Sequence, residues 1–531
     1  MGIAIQPLPS ELLVPIFFVC VVGLLFLLRV AISARAESNT VDGFFLGGRN
    51  IGGLLSEQAF WGSSFSLANG LAYFGFLGYN FGLSVLWLQI PWCASIVFMA
   101  YHSDKYISAT DRFTIHGFLG SWFGSWTRSL ASIVTITGFL GVLAYEINVS
   151  SEIILSAVGA REQPIFHPSI IALSLVGVLM VAIFCEFSGY KGVAKTDLWE
   201  NRFGLAAVVL LVATIFFFPP SFIQPSTLEG SHVLRSLVDF SSWSPLTTIG
   251  ILCFSLTLNL VDMSHWQTFS ANSAASSSQL KDLRKKIVLS AVWTFFLPGV
   301  GGAFFGFLAR DFASQSGSIN GNDVIAILMN TFQLPLYPFN TYPMNGLLVG
   351  FVVFALFCTA FSTAKNYLMA VCQVVWWDIL RIHDLERLRN GRLSTEEDKA
   401  LVRKARPTLY WIGIGAMLAF ILIRWWINND EKVFATQFLI AGAVMSLVPV
   451  TIYALFFKRS GPDGTAIEKA IGFSSILLGY AGNLLVFVFG VAFYQGLDTY
   501  AWGPIVGLGV SSIIMLPLYL RGRGKKQNAR K

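Results

Sequence analysis

The feature that most constrains this chain is a repeated pattern of apolar runs, each long enough to cross a lipid bilayer as a helix. A membrane-spanning helix needs about 20 predominantly apolar residues. Breaking the runs at charges, prolines and glycine clusters gives thirteen predicted spans with these approximate cores: 12–32, 51–76, 79–101, 126–157, 168–187, 190–218, 245–268, 285–309, 345–378, 407–427, 433–457, 467–493 and 501–520. Only 12% of the 531 residues are charged, against about 25% in soluble domains, which excludes a cytosolic enzyme, a coiled coil and a disordered chain. The sequence predicts an all-α polytopic membrane protein.

Basic residues in the loops predict how the chain is oriented in the membrane. With the N-terminus outside, the inner loops and span ends hold about thirty Lys and Arg, including six in residues 521–531. The outer loops hold only Arg161, Arg235, Arg310 and Lys432. The positive-inside rule therefore places the N-terminus outside and the C-terminus in the cytoplasm, in a multi-pass protein of the plasma (inner) membrane. We expect the first run to be a true span, since it lacks the basic start and small-residue cleavage site of a signal peptide.

The segments outside the spans are too short for a second domain. The largest inner loop, 379–406, has 13 charged residues in 28, and Ser394 and Glu397 have the spacing of a capping box that opens an amphipathic helix. The outer loop 310–344 has room for a short helix near 322–333. No Walker, HExxH or GxSxG motif occurs, and the six cysteines lie inside apolar runs without metal-ligand spacing. We therefore expect one membrane domain, 1–531, that is not an enzyme.

Polar residues inside the second span are the first candidates for function, because polar groups in hydrocarbon cost free energy. The group consists of Gly62, Ser63, Ser64, Ser66, Asn69 and Gly70. This composition suits a helix that breaks at the membrane midplane, because glycine tolerates unwound backbone and short hydroxyls bond the freed amides. It suits close helix packing through small residues equally well. Composition alone leaves both alternatives open.

The seventh and ninth spans carry further polar groups. The seventh contains Asn259, Asp262, Ser264, His265, Trp266 and Gln267. Inserting a carboxylate at the centre of a membrane helix costs about 2.5–3.5 kcal/mol, so Asp262 is a candidate for function. The alternative is that this segment is the inner end of the span. In the ninth span, residues spaced i, i+3, i+4 and i+7 form one polar face beside Lys365, namely Thr359, Ser362, Thr363 and Asn366. A Ser or Thr hydroxyl can bond a carbonyl oxygen of its own helix, which would explain a single polar position. It does not explain four polar positions on one face beside a lysine.

Charged residues also lie at the start of the sixth span, about one turn inside the predicted cytoplasmic face. They are Lys195, Asp197 and Glu200, with Thr196 among them. For Glu200, and for the lone Glu146 and Glu186, an interfacial or structural role fits the sequence at least as well as a functional one.

Three motifs together resemble those of the sodium/solute symporter family. Residues 44–49, Phe-Phe-Leu-Gly-Gly-Arg, are similar to its Phe-Leu-Ala-Gly-Arg/Lys signature, and residues 189–197 resemble its Gly-Gly stretch ending in Thr-Asp before the sixth span. Residues 359–363, Thr-Ala-Phe-Ser-Thr, followed by Asp378-Ile379, resemble its Ala-x-x-Ser-Ser/Thr motif with the trailing Asp-Ile. The resemblance covers about residues 40–460. One shorter pattern, Asp262-x-x-x-Trp266-Gln267, resembles the urea-transporting branch of that family.

This resemblance implies the leucine-transporter fold, a 5+5 inverted repeat with one extra N-terminal helix and two extra C-terminal helices. The implied segments are the extra first helix 12–32, the first five-helix repeat 51–218, the second five-helix repeat 245–457, two C-terminal helices 467–520 and a basic cytoplasmic tail 521–531. The first helix of each repeat, here the second and seventh spans, is then a broken helix that holds substrate near the midplane.

The resemblance also implies a sodium site and a substrate site. The sodium ligands are implied to be the backbone oxygens of Gly62, Phe65 and Thr359 and the hydroxyls of Ser362 and Thr363. Neutral oxygens of this kind suit a small hard cation. Substrate contacts are implied for Asn69 and Asp262, with Trp266 and Gln267 in the neighbouring motif.

The chain departs from its family where other members bind a second sodium ion. Lys365 and Asn366 occupy positions where those members place hydroxyls, and Asp197 matches their aspartate. Since an ammonium excludes a second cation and needs a buried partner, we expect an intramembrane ion pair between Lys365 and Asp197 and at most one bound sodium. The alternative is that Lys365 extends along its stem to the inner surface.

The sequence thus predicts a secondary active transporter that couples sodium entry to uptake of a small polar organic solute by alternating access. The solute class stays open among urea or amines, amino acids, monocarboxylates and sugars. Two alternatives remain: a membrane sensor or scaffold on the same fold, and a transporter that uses Lys365 to couple to protons instead of sodium. The expected partners are the solute and the lipid bilayer, with no nucleic acid and no obligatory protein partner.

Overall fold

The computed structural model describes residues 10–64, 66–110, 113–157, 168–217, 230–316, 342–381, 387, 394–427, 442–457, 464–492 and 498–528. Within these ranges the chain is helical and contains no β-strand. Its α-helices are α1 (Ser10–Ile32), α2 (Val41–Leu46), α3 (Gly53–Ser64), α4 (Tyr73–Phe81), α5 (Leu86–Tyr101), α6 (Ser103–Ala109), α7 (Ile115–Phe123), α8 (Ser125–Ala157), α9 (Pro168–Phe217), α10 (Gly230–Val238), α11 (Pro245–Val261), α12 (Met263–Ser270), α13 (Ser277–Thr294), α14 (Ala303–Ser316), α15 (Tyr342–Val374), α16 (Thr395–Ile427), α17 (Val448–Ile452), α18 (Ala466–Ala492) and α19 (Asp498–Asn528). Wider π-helical turns connect or extend some of them, at Leu67–Ala72, Phe295–Gly302, Val375–Leu380 and Tyr453–Phe457.

Ten helical stretches of the described residues are long and apolar enough to cross a membrane. One of them, Pro168–Thr214, spans 47 residues, which at 1.5 Å per residue is about twice the roughly 30 Å thickness of the hydrocarbon core. Its helix α9 is interrupted at Gly189, where φ is +57°. This residue lies between the predicted spans 168–187 and 190–218. The count of thirteen spans and the inverted repeat stay predictions.

Two helices are broken where the sequence places its polar clusters. In the second span, α3 ends at Ser64, Ser66 is not helical, and helical structure resumes at Leu67. In the seventh span, α11 ends at Val261 and α12 begins at Met263, with Asp262 in an extended conformation. The second span therefore contains the helix break that its composition allows. Asp262 is 2% exposed and lies between α11 and α12, so it is buried inside the protein and is not at a free helix end.

The helix that begins at the predicted capping box is longer than the sequence indicates. The backbone N–H of Ser394 donates to Glu397 Oε2 at 2.9 Å, and the backbone N–H of Glu397 donates to Ser394 Oγ at 3.3 Å, so the predicted capping box is present. Hydrogen bonds from Ser394, and then from Arg387, lower the pKa of the Glu397 carboxyl to about 2. The helix runs from Thr395 to Ile427 through Pro407, where the sequence analysis began a separate span. The predicted short helix near 322–333 and the start of the eleventh span lie outside the described residues.

Helix α15 forms the centre of the structure. It packs against α1, α3, α8, α9, α12 and α16. Most of its side chains are buried, including the polar stripe and Lys365. Large apolar side chains are exposed on other helices instead, such as Phe17, Trp126, Trp411 and Ile513. An apolar outer surface around a partly polar interior is the arrangement expected for a bundle surrounded by lipid.

Glycines let α4 and α14 approach very closely. A Cβ atom on Gly306 would lie 1.8 Å from the carbonyl oxygen of Gly75, and one on Gly78 would lie 2.2 Å from the carbonyl oxygen of Ala303. Small residues at such crossings are the usual means of tight helix packing in membranes.

We expect Gly306→Ala to destabilise the protein by about 1–3 kcal/mol, because the added methyl group must push two backbones apart. Gly415→Ala is the matched control: Gly415 is also helical, and a Cβ there would meet nothing within 4 Å. Thermal unfolding of the detergent-solubilised protein should show a lower melting temperature for Gly306→Ala only. Equal melting temperatures for the two variants would contradict the close approach.

Candidate functional site

The break in the second span lies directly against the polar stripe of α15. The hydroxyl of Thr363 donates to the carbonyl oxygen of Gly62 at 2.8 Å and lies 3.2 Å from the carbonyl oxygen of Thr359. A Cβ on Gly62 would lie only 2.4 Å from Ser362 Oγ, so only glycine fits this approach. Three of the predicted sodium ligands are therefore brought together. Phe65 lies outside the described residues.

Asp197 lies behind this group of oxygens and accepts two hydrogen bonds from α15. Ser362 Oγ donates to Asp197 Oδ1 at 2.7 Å, and Asn366 Nδ2 donates to Asp197 Oδ2 at 3.0 Å. The Asn366 side chain is also held by the carbonyl oxygen of Ser362 at 3.1 Å. Asp197 and Ser362 are completely buried. The i, i+3, i+4, i+7 stripe is thus the face of α15 that meets α3 and the second half of α9.

Lys365 contacts two carboxylates inside the protein. Its Nζ lies 2.8 Å from Glu200 Oε1 and 3.7 Å from Asp197 Oδ1, and it also donates to the hydroxyl of Thr196. The side chains of Lys365, Asp197 and Glu200 are all fully buried. The alternative in which Lys365 extends to the inner surface is therefore wrong.

Glu200 is the nearer partner of Lys365, although the sequence analysis favoured Asp197. Thr196, Asp197 and Glu200 are spaced i, i+1 and i+4, so one face of α9 presents all three to the lysine. This spacing is visible in the sequence, but the sequence alone fits an interfacial or a structural role for Glu200 at least as well as a functional one. The structure buries Glu200 completely and pairs it with Lys365, where α9 is covered by α15 and α1.

The break in the seventh span is organised by Asp262. Its Oδ1 accepts from the backbone N–H of Ser264 at 2.7 Å and from the Ser264 hydroxyl at 2.6 Å, so Asp262 caps α12. The hydroxyl of Tyr367, on α15, donates to Asp262 Oδ2 at 3.3 Å. Trp266 donates its indole N–H to the carbonyl oxygen of Leu260, and Gln267 donates to that of Phe45. The side-chain donors of these two predicted substrate residues are thus used within the protein, and the side chain of Asn69 lies outside the described part.

Glu146 also belongs to this site, although the sequence alone does not assign it a role. It is fully buried on α8 and accepts from the hydroxyl of Ser66 and from the backbone N–H of Ala68, at 3.2 Å for the latter. It therefore caps the helical segment that begins at Leu67. The available signal was a single carboxylate within a long apolar run. Without the fold, this signal cannot distinguish a cap from an interfacial residue.

A further buried network lies at the end of α15. Asp378 accepts from Thr114 Oγ1 at 2.9 Å and from Arg128 Nε at 2.8 Å, and its other oxygen lies 3.0 Å from His116 Nδ1. The trailing aspartate of the motif thus joins α7 and α8 to α15, about 20 Å along the helix from Lys365.

Comparison with known proteins gives matches at the level of structure alone. No protein-family model and no curated protein matches this chain. A Na+-coupled sialic acid symporter, solved substrate-bound and outward-open, superposes with a TM-score of 0.62 at 15% identity, covering 95% of this chain and 98% of that one. An Eremococcus coleocola manganese transporter superposes with a TM-score of 0.50 at 12% identity, covering 88% and 92%. The chain shares the helical fold of these two proteins. Its all-helical membrane architecture, predicted from the sequence, is confirmed.

We expect Lys365→Met to destabilise the protein by about 3–5 kcal/mol, because it leaves two buried carboxylates without their cation. The double variant Lys365→Met/Glu200→Gln should be less damaging than the sum of the single variants, by about 0.5–3 kcal/mol. Thermal unfolding in detergent measures both effects.

These variants form a double-mutant cycle, and its control is the double variant Lys365→Met/Asp378→Asn. Asp378 is also a buried carboxylate with a basic partner, but it lies too far from Lys365 to share contacts, so these two changes should add within about 0.5 kcal/mol. If the stability changes of Lys365→Met and Glu200→Gln added strictly in their double variant, the Lys365–Glu200 contact would carry no coupling energy.

Proposed function

We propose that this protein is a secondary active transporter in which sodium moving inward drives uptake of a small polar organic solute by alternating access. The observation that carries the proposal is the convergence of neutral oxygens where the broken second span meets α15. The hydroxyl of Thr363 lies within hydrogen-bond distance of the carbonyl oxygens of both Gly62 and Thr359, and the Ser362 hydroxyl lies against Gly62. Several neutral oxygens at a helix break are a suitable coordination set for Na+.

The charges behind this site also favour one bound monovalent cation. Asp197, Glu200 and Lys365 are fully buried, and in their ionised forms they carry a net charge of −1. A buried uncompensated charge is strongly disfavoured, so one Na+ beside Asp197 would neutralise the group. A second sodium ion would meet the Lys365 ammonium. We therefore propose that a single sodium ion binds, with a Hill coefficient near one.

The proposed ion supplies enough free energy for concentrative uptake. One Na+ that crosses a potential of 100 mV contributes about 2.3 kcal/mol. A tenfold sodium gradient adds about 1.4 kcal/mol. Together these support accumulation of a neutral solute by several hundredfold. The proposed setting is the plasma membrane, with the N-terminus outside and the C-terminus in the cytoplasm, in agreement with the distribution of basic residues.

A second candidate is coupling to protons, and one observation favours it. Among the described residues, Oε2 of the buried Glu200 has no hydrogen-bond partner. A proton on this carboxylate would neutralise the group of three as well as a sodium ion does. The groups that face Glu200 are Asp197 on its own helix, Lys365 and Cys358 on α15, and Cys185 on the first half of α9. Uptake that persists without sodium and follows an imposed pH gradient would select this candidate.

The sodium site is tested by removing its hydroxyls. Thr363→Val keeps the shape of the side chain but removes a ligand, so the half-saturating sodium concentration should rise about tenfold or more, equivalent to about 1.4 kcal/mol. Thr363→Ser, which keeps the oxygen, should stay close to the wild type. Ser362→Ala should also raise the sodium requirement. Uptake in proteoliposomes with and without a sodium gradient measures these effects.

Thr214→Val is the matched control, because Thr214 on α9 only donates to the carbonyl oxygen of Leu210 in its own helix, at 2.9 Å. Its sodium dependence should equal that of the wild type. Unchanged sodium dependence in Thr363→Val and Ser362→Ala would remove the assignment. A protein that binds solute but never moves it across the bilayer would be a sensor or scaffold on the transporter fold.

A further inference from the structure

One short segment covers the end of the bundle that the basic residues place in the cytoplasm. Residues 41–52, which we call the inner strap, comprise α2 and the turns that lead into α3. The backbone N–H of Ile51 donates to the carbonyl oxygen of Ala271, just after α12, at 3.2 Å. At the other end of the strap, the backbone N–H of Val41 donates to Asp398 Oδ1 of α16 at 2.8 Å. The inner strap therefore bridges α12 and α16.

Beneath the inner strap lie three polar atoms that have no hydrogen-bond partner within the described part of the protein. They are the side-chain oxygens of Gln267 on α12 and Gln373 on α15, and the indole nitrogen of Trp377 in the turns that continue α15. All three side chains are fully buried. A buried polar atom without a partner costs free energy, and native structures keep few of them. Three in one region indicate a second arrangement in which these atoms meet water or a ligand.

Two buried phenylalanines join these atoms into one cluster and cover it. The carbonyl oxygen of Phe45, in the strap, accepts from the amide of Gln267 at 2.9 Å, and the Phe45 ring lies 5.7 Å from that of Trp377. Phe113, just before α7, makes the corresponding contacts. Its carbonyl oxygen accepts from the amide of Gln373 at 2.7 Å, and its ring lies 5.9 Å from that of Trp377. The polar cluster is therefore closed by aromatic rings and not by charges.

The inner strap is held by a contact between two residues with strained backbones. Among the residues that the structure describes, Arg49 and Phe113 are the two non-glycine residues with positive φ, at +62° and +68°. The Arg49 guanidinium lies over the Phe113 ring, 4.5 Å from its centroid, and donates to Asp42 Oδ2 at 2.8 Å and Ser273 Oγ at 3.2 Å. This backbone region is costly for residues other than glycine, and such strain concentrates in switch regions. Side-chain contacts thus hold the strap closed against strain.

The covered cluster lies between the two helix breaks and the cytoplasmic end. Gln267 belongs to α12, which begins at the break at Asp262 and packs against both α3 and α15. Gln373 lies about 15 Å beyond Thr363 along α15. A solute released from the breaks toward the cytoplasm therefore passes the covered cluster and meets the inner strap.

We propose that the inner strap is the inner gate, that the contact of Arg49 with Phe113 is its latch, and that the covered cluster lines the route by which solute leaves. The inference rests on the proposed transport function, because a gate requires a solute that crosses. When the latch releases, both backbones relax and the three unpartnered atoms become hydrated, which offsets the contacts that are lost. The lining offers two neutral acceptors and one donor, so it suits the passage of a polar solute without retaining it by charge.

The first test measures whether the covered cluster becomes accessible when the latch is removed. Gln373→Cys places a reporter beneath the strap of the full-length protein. A charged maleimide labels it in inverted membrane vesicles, which expose the cytoplasmic face, and mass spectrometry of the peptides follows each cysteine separately. Adding Arg49→Ala should raise the labelling rate of this cysteine about tenfold or more, because the guanidinium contacts are lost while the backbone strain remains.

Two controls separate a gate from general loosening of the bundle. Arg202→Ala removes another guanidinium that lies over a ring, that of Trp199 on α9 at 5.2 Å, and should leave the labelling rate unchanged. The native Cys372 is buried next to the reporter but faces α16, so it should stay unreactive. Gln267→Cys repeats the measurement on α12, in case the first reporter does not fold. A labelling rate that ignores Arg49→Ala, or that rises equally at Cys372, would overturn the proposal.

The second test isolates the backbone strain. Arg49→Gly and Arg49→Ala both remove the guanidinium, but only glycine accepts a φ of +62° without strain. The closed strap should therefore be more populated in Arg49→Gly, and the reporter should react about threefold or more slowly there than in Arg49→Ala. Equal labelling rates in the two variants would contradict a strained latch.

The gate and the proposed sodium coupling fail in different ways. Labelling needs neither solute nor a sodium gradient, whereas uptake in proteoliposomes tests the coupling ion. Faster labelling in Arg49→Ala, together with wild-type uptake that does not depend on sodium, would keep the gate and reject sodium coupling. Sodium-driven uptake in the wild type, together with a labelling rate that ignores Arg49→Ala, would reject the gate and keep sodium coupling.

Discussion

The buried contact of Lys365 with Asp197 and Glu200 is the constraint on which the rest of the site depends. An ammonium and two carboxylates in the interior are costly unless they satisfy one another, so α9 and α15 must stay in register along this face. Asp197 is then held in place to accept from Ser362 and Asn366. Those contacts bring the stripe of α15 against Gly62, where the second span stops being helical. The charged group and the group of neutral oxygens thus form one structure.

Carboxylates also account for how two broken helices remain stable inside a membrane. Each break exposes backbone N–H groups where water cannot satisfy them, and each unsatisfied group costs several kcal/mol. Asp262 satisfies one break locally, whereas Glu146 reaches the other from α8. The Asp262 cap joins residues that are neighbours in the sequence, but the Glu146 cap forms only when α8 packs against the second span. The helix breaks and their acidic partners therefore belong together energetically.

The comparison structures show how far a fold can be separated from its chemistry. At 15% and 12% identity the bundle is shared with transporters of a sialic acid and of manganese. Their named cargoes differ in charge, so the bundle alone does not select a solute. In this chain the charged groups near α15 are a lysine between two carboxylates, on one side, and the acidic caps of the two breaks on the other. Function therefore has to be argued from the side chains of the site and not from the fold.

The sequence by itself determined the membrane class, the apolar runs and the polar clusters at which both helices break, but not the breaks themselves. These depend on local properties, namely the length of apolar runs and the density of glycine and hydroxyl residues. It also identified Asp262 and the stripe of α15, because a helical period of 3.6 residues is visible in one dimension. Only the tertiary structure decided that Glu200 is the nearer partner of Lys365 and that Glu146 caps a helix 78 residues away in sequence. Partners on different helices are chosen by packing, and packing leaves no periodic signal in the chain.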